Sequence, residues 1–503
     1  MEESTQHSSA INLNDRFRFT VPFFEEKLNK EGQIVVTINN ESLIVFWETL
    51  GYKKVIDENN NYKLVLVKRG SIVKEVKEHV LRNEIRDYTK QINKKSVWSK
   101  FLEKDYVVKK LFESFHTIEM NRNTGNETTG YLYYQNIILK VTSDKIDFID
   151  YENFEGYVWE EEIIERDFVL FDKEECVFGD FIKIIASDEP ERLKSIISII
   201  GYLIHSFKNP SCAKAIILMD SEIDVEFNEA NGGTGKSLIG KAVGQIVPNL
   251  FIDGKTMKSQ DKFRLSGLNS HHRIIFFDDV KKEFDFESLY PLITGELYIE
   301  KKYKNAIVIP SRETPKILIT SNYVVKGGGG NAEKRRKVEY EVSTYFKNVL
   351  TPKEEFGHQL FDDWDEMEWN KFDNFMVAVL QFYLKKGLIE PKSINIDLNR
   401  LKIETSVDFI DFMDNLISMP QQYQKPASPD VLVIDKNKLF SDFLNTKPNT
   451  AERITPITIK KWIDRYCNYY NIETNHYKSN GNVFVELNIS SLKNGNNQEL
   501  NNN

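Results

Sequence analysis

A glycine-rich stretch near the middle of the chain, NGGTGKS, has the residue types of a phosphate-binding loop. Its glycines, Gly232, Gly233 and Gly235, free the backbone so that consecutive N–H groups can point at one phosphate at the start of a helix. Lys236 would then reach the β- and γ-phosphates of a nucleotide, and the Ser237 hydroxyl would bind Mg²⁺. The stretch therefore predicts a nucleoside triphosphate site.

This loop departs from the usual pattern at its first glycine, because Ala230 stands six residues before the lysine. Loop closure would therefore depend on Asn231 and Gly232, and a purely structural glycine loop remains an alternative. The predicted nucleotide-binding residues are Asn231, Gly232, Gly233, Thr234, Gly235, Lys236, Ser237 and Leu238.

Two adjacent acids follow an apolar run in the stretch HRIIFFDDV. A buried parallel strand of this kind brings the residues at its end to the carboxyl edge of a sheet, where ligands bind. Asp278 would hold Mg²⁺ through water, and Asp279 would orient or deprotonate the attacking water. The alternative is a core strand followed by an ordinary turn.

A third apolar strand, in TPKILITSNY, ends in polar residues. The neutral amide of Asn322 could polarise the attacking water and contact the γ-phosphate without adding charge. An Asn after a strand is commonly only a turn former, so its role depends on spacing. Asn322 lies 43 residues after Asp279, and Asp278 lies 42 residues after Lys236, so one domain can hold all three motifs.

The elements around these motifs predict an α/β protein of several parts. Strands alternating with helical stretches predict a parallel sheet over 211–350. The other predicted parts are a disordered start at 1–15, an α+β region of unknown role at 16–172, a helical collar at 173–210, a helical region at 351–420, a proline-containing linker at 421–430, a winged-helix-like domain at 431–490 and a disordered tail at 491–503.

The winged-helix prediction rests on two helical stretches followed by a hairpin turning at Asn480 and Gly481. Such a domain could dock on DNA or pack against protein, and the sequence favours neither. A DNA contact would use Lys460, Lys461, Arg465 and the wing.

Composition excludes several classes of protein. The chain has 503 residues, a net charge of −9 and three cysteines, which are too few and too dispersed for a disulfide framework or a zinc site. It contains no apolar run of about 18 residues, and its polar, acidic start is not expected to act as a signal peptide. We therefore expect a cytoplasmic protein with no membrane partner. Residues 301–337 hold ten Lys or Arg against two Glu, which indicates one local anionic partner.

The order GGTGKS, IIFFDD, ITGELYIEKKYK and TPKILITSN resembles that of superfamily 3 helicases of the AAA+ class. Within that class the chain is similar to the helicase part of the poxvirus-type primase-helicases of phages, viruses and mobile elements, roughly over residues 178–401. The resemblance implies a P-loop AAA+ core, ATP and Mg²⁺ as cofactors, and a homo-oligomeric, hexameric ring. It also implies single-stranded DNA in the central pore.

The same resemblance implies roles for two basic segments. GELYIEKKYKNAIVIP matches a pore-lining β-hairpin whose DNA-binding residues would be Lys301, Lys302, Tyr303 and Lys304. An ordinary exposed hairpin is the alternative. EKRRKVEYEV lies where the family carries an arginine finger, so Arg335 or Arg336 would complete the site of a neighbouring subunit.

The expected function is therefore that of an ATP-dependent, ring-forming DNA helicase in the replication of a phage or mobile genetic element, in a bacterial host cytoplasm. The alternatives are a non-translocating ATP-dependent switch or scaffold and an origin-binding initiator. Primase activity is not expected, because Asp147 and Asp150 would lie on opposite faces of a strand rather than pair around metals. A separate primase or origin DNA remains a possible partner.

Overall fold

The computed structural model describes residues 16–56, 62–171, 175–222, 233–257, 263–282, 284–299, 307–325, 331–420, 423–425, 428–447, 454–479 and 481–490. The terminal segments predicted to be disordered lie outside these ranges. In the part of the chain that is described, no helix has the length and apolar character needed to cross a membrane.

The described residues between 16 and 171 form an α+β region with three sheets. Its strands are β1 (Phe24–Leu28), β2 (Ile34–Ile38), β3 (Tyr52–Ile56), β4 (Tyr62–Lys68), β5 (Ile72–Glu75), β6 (Thr117–Ile118), β7 (Thr129–Tyr133), β8 (Ile138–Thr142), β9 (Ile146–Ile149) and β10 (Val158–Trp159). Its helices are α1 (Asn40–Thr49), α2 (Glu78–Gln91), α3 (Lys95–Leu102) and α4 (Lys109–Phe112). The sheets have the strand orders β10-β5-β4-β3-β6 and β7-β8-β9, and β1 pairs only with β2.

Two helices, α5 (Val177–Ile185) and α6 (Pro190–Ile204), follow where the helical collar is predicted. Pro190 suits the first turn of α6, where an amide hydrogen would have no partner in the helix. A Cβ on Gly201 would lie 2.7 Å from the Val379 carbonyl oxygen, so glycine permits α6 to pack closely on a later helix.

The predicted parallel sheet is confirmed, with the strand order β12-β13-β16-β11-β17 and parallel pairing throughout. Its strands are β11 (Ala215–Asp220), β12 (Asn249–Asp253), β13 (Ile274–Val280), β16 (Lys316–Ser321) and β17 (Lys337–Val342). The segments between them contain α7 (Lys236–Gly244), α8 (Tyr290–Thr294), the strands β14 (Leu297–Ile299) and β15 (Ile307–Ile309), and α9 (Asn331–Lys334). Every residue of β11 and β16 is buried, as expected for central strands covered on both faces.

The remaining elements form a helical region and a C-terminal domain. The helices are α10 (Tyr345–Asn348), α11 (Pro352–Phe356), α12 (Glu366–Lys386), α13 (Ile396–Glu404) and α14 (Val407–Ser418). The domain contains β18 (Gln424–Lys425), β19 (Ser428–Asp435), α15 (Lys436–Thr446), α16 (Pro456–Tyr469), β20 (Glu473–Ser479) and β21 (Asn482–Asn488), with the strand order β18-β19-β21-β20.

The linker predicted at 421–430 is wrong where it overlaps these strands. Its prolines suggested a break, but β19 begins at Ser428 and pairs with β21. Leu432 and Ile434, which follow, are buried in the core of the domain, and this alternation of apolar residues keeps the segment in the sheet.

Candidate nucleotide-binding site

The ammonium of Lys236 lies at the centre of a buried polar cluster. Lys236 is the first residue of α7, and its Nζ is 2.9 Å from the Thr234 hydroxyl oxygen and 2.9 Å from the Asn322 amide oxygen. It also forms an ion pair with Asp220, the last residue of β11. Burial lowers the pKa of Lys236, and the Asp220 carboxylate opposes that shift. Asp220 therefore stands where an anionic phosphate would meet this ammonium.

The conformation of the backbone before Lys236 depends on two glycines. Gly233 and Gly235 have φ values of 113° and 89°, which side-chain-bearing residues rarely adopt. Gly235 is also the N-cap of α7 and carries no side chain to accept the first amide hydrogens of the helix. These amides are thus free of a side-chain cap and suited to an anion.

A second cluster joins the start of α7 to the end of β13. The Ser237 hydroxyl donates to Asp278 Oδ1 at 2.7 Å, and the Thr320 hydroxyl donates to the same oxygen at 2.6 Å. Serine and aspartate oxygens are ligands that suit Mg²⁺, which commonly takes one or two protein oxygens together with phosphate oxygens and water. Among the described residues no group of three or more His, Cys, Asp or Glu is arranged for a metal.

Asp279 is held in an unusual backbone conformation beside this pair. Its φ is 54°, and the register of β13 against β16 shifts between Phe277 and Val280. One carboxylate oxygen accepts from the Asn322 amide nitrogen at 2.8 Å, and the other lies 2.5 Å from the Lys255 ammonium. The bulge thus lets two adjacent acids face the same edge of the sheet, where uniform strand alternation would separate them.

Asn322 connects the two clusters. Its amide oxygen accepts a hydrogen bond from the Lys236 ammonium, and its amide nitrogen donates one to the Asp279 carboxylate. One neutral side chain thus binds both the cation and the carboxylate. The structure therefore brings together the predicted residues Lys236, Ser237, Asp278, Asp279 and Asn322 at the carboxyl ends of β11, β13 and β16.

Three further residues of this site were not predicted. Asp220 could have been found by the argument used for Asp278, since both acids end apolar strands. Thr320 carries no sequence signal beyond its place in a strand, although its hydroxyl also accepts from the Asp279 amide at 2.7 Å. Lys255 is an exposed basic residue after β12, and only the sheet brings it to Asp279.

The other predicted nucleotide-binding residues have different environments. The Thr234 hydroxyl donates to Asp220 at 2.6 Å, while the Leu238 side chain packs against the apolar core. Asn231 and Gly232 lie outside the described residues.

Arg335 and Arg336 lie far from this cluster in their own chain. They directly precede β17, whose first residue, Lys337, pairs with Ala215 at the start of β11. β17 has six residues, or about 20 Å at the usual rise of a strand. Both arginines are therefore at the opposite edge of the sheet from Lys236.

The predicted DNA-binding segments are described only in part. β14 and β15 pair antiparallel from Leu297↔Ile309 to Ile299↔Ile307, so the predicted hairpin is present. Lys301, Lys302, Tyr303 and Lys304 lie outside the described residues. In the C-terminal domain Lys460 and Lys461 are exposed, whereas Arg465 contacts α13, donating to the Glu404 carbonyl oxygen at 2.8 Å.

Comparisons with known proteins give a family match to part of the chain and two solved structures of low similarity. A family described as "Family of unknown function (DUF5906)" matches residues 229–336. No curated protein sequence matches the chain. The apo structure of the NrS-1 C-terminal region is 15% identical over 89% of this chain and 99% of that chain, with a TM-score of 0.45. A full-length MCM homolog from Methanopyrus kandleri is 9% identical over 68% of this chain and 74% of that chain, with a TM-score of 0.19. Similarity at these levels does not identify the function of the chain.

Proposed function

We propose that the chain is an ATP hydrolase that works as a ring-forming DNA helicase and translocates on single-stranded DNA during replication of a phage or mobile genetic element. One observation carries the proposal. A loop lysine, a hydroxyl, two adjacent carboxylates and a neutral amide meet at the carboxyl edge of one parallel sheet. This edge is where open α/β sheets bind ligands, and the groups match the needs of phosphoryl transfer.

The side chains have distinct tasks in hydrolysis. Lys236 exchanges its ion pair with Asp220 for the β- and γ-phosphates of ATP. Ser237 and Asp278 are the residues that would hold Mg²⁺, which when bound would supply positive charge beside the phosphates. Asp279 accepts a proton from the attacking water, and Asn322 orients that carboxylate through its amide hydrogen.

The position of the arginines supports action between subunits. Arg335 and Arg336 are about 20 Å from the sheet edge that binds nucleotide in their own chain, so they cannot reach its phosphates without a large movement. In a ring of identical subunits this opposite edge would face the site of a neighbour if either arginine acts there. An arginine supplied in this way would stabilise the charge of the transition state, as arginine fingers do.

The basic hairpin supports DNA as the substrate of the motor. In a ring, β14 and β15 would carry Lys301, Lys302, Tyr303 and Lys304 into the pore. Ammonium groups there would contact phosphates and the ring of Tyr303 would pack on a base or sugar.

The test is to measure ATP hydrolysis with and without single-stranded DNA, together with unwinding of a tailed fork. Lys302→Ala/Lys304→Ala should keep basal hydrolysis but lose DNA stimulation and unwinding, while wild type shows all three. Hydrolysis by wild type with no unwinding of any fork, and no response to DNA, would favour the nucleotide-operated switch or scaffold. Binding of duplex origin DNA through the C-terminal domain would be tested by Lys460→Ala/Lys461→Ala.

A further inference from the structure

Arg335 and Arg336 are neighbours in sequence but differ in their surroundings. Arg335 is exposed, and its Nε donates to the Asn331 carbonyl oxygen at 3.3 Å. Within the described part of the chain, no carboxylate lies within ion-pair distance of it. Arg336 is half-buried, with its guanidinium carbon 4.8 Å from the centre of the Tyr290 ring and its Nη1 2.8 Å from the Ala332 carbonyl oxygen. Arg335 can therefore meet an external anion at the cost of at most this one 3.3 Å contact, whereas Arg336 would also have to leave the Tyr290 ring.

The turn that carries both arginines is fixed to the sheet. Lys337 is buried and forms ion pairs with Glu333 and Glu339, the second at 2.9 Å. The Arg336 carbonyl oxygen accepts from the Ala215 amide at 2.8 Å, which ties the turn to the first residue of β11. Arg335 thus projects from a rigid support, as a side chain that must reach a phosphoryl group in an adjacent subunit would need to do.

Tyr290 connects Arg336 to the hairpin. It is the first residue of α8, which ends four residues later and leads through Gly295 into β14. Leu292 of α8 is buried, and its carbonyl oxygen accepts from the buried Lys208 ammonium at 3.2 Å. Leu292 also belongs to the same apolar cluster as Leu297 of β14. A displacement of Tyr290 would therefore be passed to the base of the hairpin.

We infer that Arg335 is the residue that reaches the triphosphate of the neighbouring subunit, and that Arg336 is a positioning residue that links the same turn to the pore hairpin through the Tyr290 ring. This inference rests on the proposed function. It assigns separate tasks to two adjacent arginines: Arg335 acts on hydrolysis, and Arg336 acts on how hydrolysis responds to DNA.

The first arm of the test concerns Arg335. Arg335→Ala should retain nucleotide binding but lose hydrolysis by about 100-fold or more, with and without DNA. Mixing it with Lys236→Met/Asp220→Asn subunits, which remove both charges of the buried ion pair, lack a working loop and keep Arg335, should restore part of the hydrolysis. Lys334→Ala, on the same turn and exposed, is the matched control and should behave as wild type.

The second arm concerns the contact of Arg336 with Tyr290. Arg336→Ala and Tyr290→Leu should each keep basal hydrolysis within about threefold and lose DNA stimulation and unwinding, since a cation–π contact would be removed. Tyr290→Phe keeps the ring and should behave as wild type. The double variant should be no worse than either single variant, because both remove the same contact.

The outcomes separate this inference from the proposed function. Loss of basal hydrolysis in Arg336→Ala with normal hydrolysis in Arg335→Ala would overturn the assignment. Additive losses in the double variant, or a Tyr290→Phe variant as defective as Tyr290→Leu, would overturn the link to the hairpin. Absence of hydrolysis in wild type would instead reject the proposed function. Thermal unfolding and nucleotide binding of each variant show that the chain is folded.

Discussion

The Ser237 hydroxyl and the Asp278 carboxylate are joined by a hydrogen bond of 2.7 Å although 41 residues separate them in sequence. Ser237 is fixed by the first turn of α7, and Asp278 by the end of β13. Because β13 and β11 flank β16 in one parallel sheet, the loop that follows β11 and the end of β13 come to the same edge. This relationship joins the two side chains that would hold the proposed Mg²⁺ and motivates the first prediction.

Asp278→Asn should weaken the Mg²⁺ dependence of nucleotide binding while leaving metal-free binding close to that of wild type. The amide keeps the shape of the side chain but removes the charge that favours the cation. Titration of an ATP analogue with and without Mg²⁺ measures this. Ser237→Ala should show the same change to a smaller degree, and equal Mg²⁺ enhancement in all three proteins would contradict the assignment.

Lys236→Met should destabilise the chain as well as abolish hydrolysis. It would leave Asp220 buried without its ion-pair partner, an effect of about 3–5 kcal/mol. The matched control is Lys236→Met/Asp220→Asn, which removes both charges and should regain most of the lost stability but no hydrolysis. Denaturant unfolding followed alongside the ATPase rate separates the two roles. A double variant as unstable as Lys236→Met would mean that the unpaired charge of Asp220 is not the cause of the lost stability.

Asp220→Asn should make nucleotide binding more sensitive to high pH. Burial lowers the pKa of Lys236, and the Asp220 carboxylate is the largest influence that raises it. Without that carboxylate the ammonium would lose its proton at a lower pH, and with it the charge that attracts phosphate. Dissociation constants measured from neutral to alkaline pH should therefore rise earlier in the variant than in wild type. Superimposable pH profiles would mean that Asp220 does not sustain this charge.

Asp279→Asn should lower hydrolysis by about 100-fold or more without changing nucleotide affinity, because a general base acts only on the chemical step. Lys255→Met is the control for the ion pair, since it frees one oxygen of the same carboxylate but keeps the acid. We expect it to retain hydrolysis within about tenfold of wild type. Single-turnover rates at saturating nucleotide distinguish the two, and an active Asp279→Asn variant would exclude the proposed base.

Gly240→Val should destabilise the α/β core by about 1–3 kcal/mol through overpacking. Even a Cβ at this position of α7 would lie 2.3 Å from the Phe276 ring of β13. Gly267→Ala is the control, because its Cβ would meet only the Leu250 side chain at 3.3 Å. Thermal unfolding should shift for the first variant and hardly for the second, and Phe276→Leu should partly rescue Gly240→Val. Equal shifts of the unfolding temperature in Gly240→Val and Gly267→Ala would mean that α7 moves away from the sheet to make room for the new side chain.

The sequence predicted the parts of the site that lie at the ends of recognisable strands. Apolar runs indicate where parallel strands end, and acids or amides at those points must share an edge, so Asp278, Asp279 and Asn322 could be grouped in advance. Asp220 also ends an apolar strand and could have been grouped with them, but only the fold shows that its carboxylate pairs with Lys236. Lys255 was missed because an exposed lysine in a turn has no pattern of its own.

The backbone conformation of Asp279 and the border of the C-terminal domain were harder to predict from the sequence. The positive φ of Asp279 and the accompanying bulge depend on pairing with β16, which no local pattern encodes. Prolines before Asp430 suggested a linker, yet cross-strand pairing with β21 keeps the adjoining residues in a strand. The difference between Arg335 and Arg336 arises from the Tyr290 ring, which comes from another part of the chain.

Nucleotide uptake at this site is measured by calorimetric titration of wild type with a non-hydrolysable ATP analogue and Mg²⁺. We expect saturable binding at one site per chain, lost in the stability-matched Lys236→Met/Asp220→Asn variant and retained in Asp279→Asn. No uptake of nucleotide by wild type, or equal uptake by wild type and the Lys236→Met/Asp220→Asn variant, would contradict the proposed nucleotide site.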